Sequence, residues 1–151
     1  MPAVQNAGRL NTPTKVTLMS TDSDLLTLPT HILVIEDDAD TRSNLIDILE
    51  LDGFQVLAVP TFAAAKKEAD WPAYFAIVLD RKLPDGDSET FLPQLRELAP
   101  QASVVIVTGY EELSGAIAAL RNGASDYLLK PVDADTLRTR LRQLAEQRHA
   151  K

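Results

Sequence analysis

The sequence predicts a doubly wound α/β domain, a five-stranded parallel sheet of order 2-1-3-4-5 with helices on both faces. Five short apolar runs alternate with five stretches of helical period from His31 onward. Three of those runs, "ILVI" (32–35), "FAIVL" (75–79) and "SVVIV" (103–107), are apolar at successive positions rather than at every second one. That is the pattern of a strand buried on both faces, and such strands belong to parallel sheets covered by helices. Each change of period is also marked by Gly, Pro or an acid, where strands and helices stop.

The first strand, "ILVI", runs directly into three consecutive acids, Glu36, Asp37 and Asp38. The first helix carries Leu45, Ile48 and Leu49 on one face and stops at Gly53. "FQVLAV" (54–59) is the second strand, followed by a weaker helix with Phe62, Ala65 and Ala69. "FAIVL" is the third strand and ends at Asp80. The helix after it carries Phe91, Leu95 and Leu98, with Pro93 inside it, so the spacing predicts a late start or a kink there. "SVVIV" is the fourth strand, and Leu113, Ile117 and Leu120 mark a fourth helix that stops at Gly123. "DYLL" (126–129) is the fifth strand, and Leu137, Leu141 and Leu144 mark the fifth helix. Strict alternation of this kind is the flavodoxin-like arrangement.

With 151 residues and 45% hydrophobic content, the chain has room for one domain with a core. We expect it over residues 30–149, after a lead-in over 1–29 that is rich in Thr, Ser, Asn and Pro. A net charge of -7 disfavours direct recognition of nucleic acid or of an anionic membrane, both of which need clustered Lys and Arg. No cysteine means no disulfide framework, thiol nucleophile or thiolate metal site. No apolar run approaches the roughly 18 to 20 residues that span a bilayer, so a cytoplasmic location is the default expectation. No output segment follows the fifth helix, and the chain reads as a stand-alone regulator or as part of a larger protein.

In sheets of this kind ligands bind beyond the carboxyl ends of the strands, where the strand order reverses. That rule gathers Glu36 and Asp37 after the first strand, Asp80 after the third, Thr108 after the fourth and Lys130 at the end of the fifth. Three carboxylates in one cleft repel one another unless a cation neutralises them, and an all-oxygen ligand set suits Mg²⁺. An ammonium and a hydroxyl on the far side serve an anion bound against that cation, with a phosphoryl group the obvious candidate. Asp80, ending the central apolar strand, is the best nucleophile, and the inferred reaction is phosphoryl transfer onto the protein itself. Such a chain catalyses only its own phosphorylation and dephosphorylation, and is otherwise not an enzyme.

Four fragments, "ILVIEDDADTR", "IVLDRKLPDGD", "VIVTG" and "GASDYLLKPVD", stand in that order over about residues 31–149. Together they resemble the receiver domain of two-component response regulators. The resemblance implies that Asp80 accepts a phosphoryl group from a phosphohistidine on a partner histidine kinase or phosphotransfer protein. It implies that Asp37 and Asp80 bind Mg²⁺ directly, that Glu36 acts largely through water, and that the backbone carbonyl of Lys82 completes the protein ligands. Thr108 and Lys130 match the family's phosphoryl-contacting hydroxyl and ammonium, and Thr108 and Tyr127 match its switch pair, the hydroxyl moving toward the phosphoryl group as the aromatic turns inward. The same resemblance implies a switching face built from the fourth helix, fifth strand and fifth helix, through which a homodimer could form, and a cis peptide at Lys130–Pro131. Gly115 lowers the intrinsic stability of the fourth helix by about 1 kcal/mol relative to Ala, which suits a moving element. Lys82 and Tyr110 hold positions that influence the lifetime of the acyl phosphate, and bulky Tyr110 is expected to impede the attacking water.

Plainer readings hold for some residues. Asp38 and Asp40 read as the start of the first helix, where carboxylates favour the macrodipole. Pro84, Asp85 and Gly86 read as a turn, and Arg138, Arg142 and Arg148 as a solvated face. Two rival functions stand beside the phosphoacceptor. A phosphatase of the haloacid-dehalogenase kind wants a second aspartate two residues after the nucleophile, where this chain has Lys82. A receiver-like module that is never phosphorylated would act by protein contact alone, yet none of the required residues is missing.

Overall fold

The computed structural model describes residues 30–109 and 113–150. The lead-in over 1–29 and Tyr110 lie outside them. Five parallel strands, β1 (His31–Ile35), β2 (Gln55–Val59), β3 (Ala76–Asp80), β4 (Ser103–Thr108) and β5 (Asp126–Leu129), form one sheet in the order β2-β1-β3-β4-β5. The connecting helices are α1 (Ala39–Leu51), α2 (Phe62–Glu68), α3 (Ser88–Leu98), α4 (Leu113–Arg121) and α5 (Ala134–Ala150). A single turn of 3₁₀ helix, Trp71–Ala73, precedes β3, and a small antiparallel hairpin, Lys82–Leu83 with Gly86–Asp87, follows it. No helix among the described residues is long and apolar enough to cross a membrane.

Strands without alternation have two apolar faces, and the core divides accordingly. Leu33, Ile35, Ile77, Leu79, Val104 and Ile106 face a cluster that includes Phe62, Leu92, Leu95 and Ala119 from α2, α3 and α4. Their neighbours Ile32, Val34, Ala76, Val78, Val105 and Val107 face Leu45, Leu49, Leu137 and Leu141 from α1 and α5. Each strand therefore holds helices on both sides, and the order reverses between β1 and β3, where the acids emerge.

Local chemistry sets the helix ends. The Asp38 side chain accepts from the Thr41 N–H at 2.8 Å and so caps α1, with Asp40 in its first turn, as expected of both. Gly53, at φ 94°, lets the chain turn back so that the Phe54 N–H reaches the Leu49 carbonyl at 3.1 Å.

The structure departs from the sequence reading in several places. Ala69, expected on the second helix, lies just past α2 in extended conformation, and Arg148, expected in a solvated face, is partly buried. Helix α3 starts at Ser88, early rather than late, because the Asp87 side chain caps it and Phe91, Leu92 and Leu95 bury its inner face. Pro93 is exposed, so the Glu89 carbonyl left without its usual partner faces water, at little cost. Leu98, expected in the core, is 38% exposed, and Leu92 packs inside instead. In α4 the large residues Ile117 and Leu120 are 45% and 48% exposed while Ala119 is buried, since a small side chain permits a closer approach to the sheet. Finally, Arg142 is not simply solvated. Its Nε donates to Asp52 at 3.0 Å, joining α5 to the end of α1.

Candidate phosphoryl-transfer site

The candidate side chains stand where the strands end. Glu36 follows β1 and is wholly buried; its N–H donates to the Val59 carbonyl of β2 at 2.9 Å, which prolongs the parallel ladder by one residue. Asp37 comes next and is exposed. Asp80 is the last residue of β3 and 6% exposed, and Thr108 is the last of β4 and 4% exposed. Lys130 directly follows β5, its N–H donating to the Thr108 carbonyl at 2.7 Å. One carboxylate oxygen from each of Glu36, Asp37 and Asp80 lies within 4.8 Å of the other two. The expected acid set is thus brought together.

Lys130 reaches into this cluster. Its Nζ lies 2.8 Å from Glu36 Oε1 and 3.3 Å from Asp80 Oδ1. The first contact has the length of a charge-assisted hydrogen bond between ammonium and carboxylate. Glu36 Oε2 accepts from the Asp38 N–H at 3.0 Å, so both oxygens of this buried carboxylate face a positive or donor group. Burial, and secondly the Glu36 charge, push the Asp80 carboxyl up to about 7, against the pull of Lys130. Burial draws the Lys130 ammonium down, but contact with Glu36 and the charges of Asp80 and Glu36 outweigh it, and the group is raised. One lysine does not fully neutralise the acids. A hard divalent cation would, and the all-oxygen donor set, with one exposed and solvated member, fits Mg²⁺.

Two residues without a role in the sequence reading also shape the site. Arg42, on the first turns of α1, donates from one guanidinium nitrogen to the carbonyls of Glu36 at 2.9 Å and Asp37 at 3.2 Å, bracing the loop that presents both acids. Asp85 forms the expected turn, but its carboxylate also accepts from the N–H groups of Phe62 and Ala63. Neither contact has a local sequence signal beyond the presence of a charged residue near the site. Lys82, exposed, opens the hairpin two residues after Asp80. Tyr127 packs against the cluster that includes Ala119 and Ala124, and its hydroxyl is buried with no hydrogen-bond partner among the described residues. The Lys130–Pro131 peptide is cis, as the resemblance implied. A groove of about 220 Å³, lined in part by Asp40, Thr41, Lys130 and Pro131, borders the site.

Comparisons with known proteins agree with this geometry. The family model described as the response regulator receiver domain matches residues 32–142. The photosynthetic apparatus regulatory protein RegA of Rhodovulum sulfidophilum is 40% identical over 106 residues, 69% of this chain and 57% of that protein. The KDP operon transcriptional regulatory protein KdpE of Escherichia coli K12 is 38% identical over 121 residues, 80% of this chain and 53% of that protein. The chain spans about half the length of the curated relatives it matches. Among solved structures, the beryllofluoride-activated NtrC4 receiver domain dimer superposes with a TM-score of 0.73 at 29% identity, over 78% of this chain and 98% of that one. A CheY-like receiver domain protein from Methanospirillum hungatei gives 0.73 at 28%, over 80% and 97%. An acid cluster at the switch point of a 2-1-3-4-5 sheet, a lysine reaching into it and a family match over most of the chain have one reading: this chain belongs to the response regulator receiver domains of two-component signalling.

Proposed function

We propose that Asp80 is the phosphoacceptor of this receiver domain. The observation that carries the proposal is that Asp80, at the end of the central strand, shares a space of 4.8 Å with two other carboxylates while Lys130 stands 3.3 Å away. A carboxylate oxygen of Asp80 attacks the phosphorus of a phosphohistidine on a kinase or phosphotransfer protein. The P–O bond forms as the P–N bond breaks, and the departing imidazole takes up a proton. Asp37, Asp80 and the Lys82 carbonyl would hold Mg²⁺, with Glu36 acting through water, and the ion would supply the positive charge that offsets the crowded carboxylates and the incoming phosphoryl group. Lys130 and the Thr108 hydroxyl contact the remaining oxygens. Solvation of the ionised Asp80 is weak in its buried position, which keeps the nucleophile reactive once the acid has lost its proton.

Tyr127 is the switch residue. Its ring packs inward and its buried hydroxyl has no hydrogen-bond partner among the described residues, which leaves an outward alternative in reach. The face it modulates exposes Ile117, Leu120 and Leu129, the last at 51%, an apolar surface suited to a second copy of the domain. The groove beside Lys130 is the place for the kinase or phosphotransfer partner.

The test is incubation with a small-molecule phosphodonor and Mg²⁺, followed by intact mass measurement. One added phosphoryl group is expected, absent in the presence of chelator and absent in Asp80→Asn. An equal gain in Asp80→Asn would sink the assignment.

A further inference from the structure

The turn after the phosphoacceptor strand is tied to a helix that lies 22 residues away in sequence. Asp85 Oδ2 accepts from the Ala63 N–H at 2.9 Å, and Oδ1 accepts from the Phe62 N–H at 3.3 Å. Helix α2 does not need this carboxylate to start, because it has its own cap: Thr61 Oγ1 accepts from the Ala64 N–H at 3.0 Å. Asp85 instead takes the two N–H groups that a single cap leaves over.

The hairpin is also held by packing. A Cβ on Gly86 would stand 2.5 Å from Phe91 Cζ, so the hairpin backbone lies directly against that ring. Phe91 in turn packs on Phe62, the rings tilted by 36° with centroids 4.3 Å apart. At the neck, the Ser88 N–H donates to the Arg81 carbonyl at 2.8 Å. The hairpin itself has only two residues in each strand, too few to hold a conformation unaided. Its shape therefore comes from what it is fastened to, and its direct hydrogen-bonded fastening to α2 is Asp85.

From this geometry we infer that Asp85 is a positioning residue of the metal site: by anchoring the hairpin to the start of α2, it holds the Lys82 carbonyl where a cation bound by Asp37 and Asp80 can use it. The inference rests on the reading of Lys82 as a metal ligand given above. Asp85 need not touch the ion. Its role is to remove the freedom of the loop that carries a ligand, the usual effect of groups just outside a metal's own ligands.

Calorimetric titration with Mg²⁺ tests it on four proteins: the unaltered chain, Asp85→Ala, Asp85→Asn and Thr61→Ala. Asp85→Ala is expected to weaken Mg²⁺ binding about tenfold. Asp85→Asn keeps one acceptor oxygen and loses the charge, so affinity is expected between those of the other two. Thr61→Ala removes the helix's own cap but not the hairpin tie, and should lower the thermal midpoint while leaving Mg²⁺ affinity within about twofold. Asp85→Ala binding as tightly as the unaltered chain overturns the inference. So does equality of Asn and Ala at this position, which would mark a plain charge effect, or equal weakening by Thr61→Ala, which would mark a general loss through α2. If the unaltered chain binds no Mg²⁺, the metal site falls, and this inference falls with it.

Discussion

The Lys130 ammonium lies 2.8 Å from Glu36, a carboxylate with no exposure to solvent. Removing the lysine would leave a buried charge without a counterion, which costs more than the pair contributes. Lys130→Met is expected to destabilise the metal-free domain by about 2–3 kcal/mol, less than a fully buried pair because the lysine retains some exposure. Urea unfolding in the presence of chelator measures it. The same variant should slow phosphoryl uptake at least about tenfold, through the loss of charge aimed at the transferring group.

Stability should depend on pH through Asp80. Its carboxyl ionises near 7 in the fold against 3.8 in an unperturbed state. Between those values the folded domain keeps a proton that the unfolded chain has lost, so the contribution is greatest below 3.8 and declines as pH rises to about 7. The full decline is on the order of 4 kcal/mol as an upper bound. Unfolding curves of the metal-free protein across this window should show it, and Asp80→Asn should flatten it. Parallel pH profiles for the two proteins would contradict the shift.

If Asp80 holds Mg²⁺ as proposed, protons and the ion compete for the same oxygens. Mg²⁺ affinity is therefore expected to rise about tenfold per pH unit below about pH 7 and to level off above it. Titrations in buffers of different ionisation enthalpy should show up to about one proton released at the acid end. An affinity independent of pH would argue against Asp80 as a shared ligand.

Two glycines should respond differently to alanine. At Gly86 a Cβ meets Phe91 at 2.5 Å and φ is +150°, so Gly86→Ala strains both packing and backbone and should cost about 2–3 kcal/mol. At Gly53 the space is open and only the positive φ opposes the change, so about 1 kcal/mol is expected. Thermal unfolding of both variants orders the costs.

The Arg142–Asp52 pair should matter little. The Asp52 side chain is 10% accessible, but that of Arg142 is 63% accessible, so water screens the pair from the arginine side and can solvate the carboxylate if the arginine is removed. Arg142→Ala is expected to change stability by less than about 1 kcal/mol. A larger loss would mean that the junction of α1 and α5 depends on it.

Much of this protein follows from period alone. The unbroken apolar runs of β1, β3 and β4 require helices on both sides, and that arrangement puts Glu36, Asp37, Asp80, Thr108 and Lys130 at one edge. The Asp38 cap was equally legible, because capping is a matter of three residues. Other features have no such local rule. Helix α4 turns its small Ala119 to the sheet and leaves Ile117 and Leu120 outside, a choice set by how closely the helix approaches rather than by the size of its apolar side chains. Arg142 meets Asp52 across 90 positions, and Asp85 meets Ala63 across 22. Lys130 lies 2.8 Å from Glu36 and 3.3 Å from Asp80, a preference that no sequence pattern encodes. Backbone periodicity acts over a few residues and is written in the sequence; contacts between distant side chains exist only once the packed sheet has brought their backbones within reach.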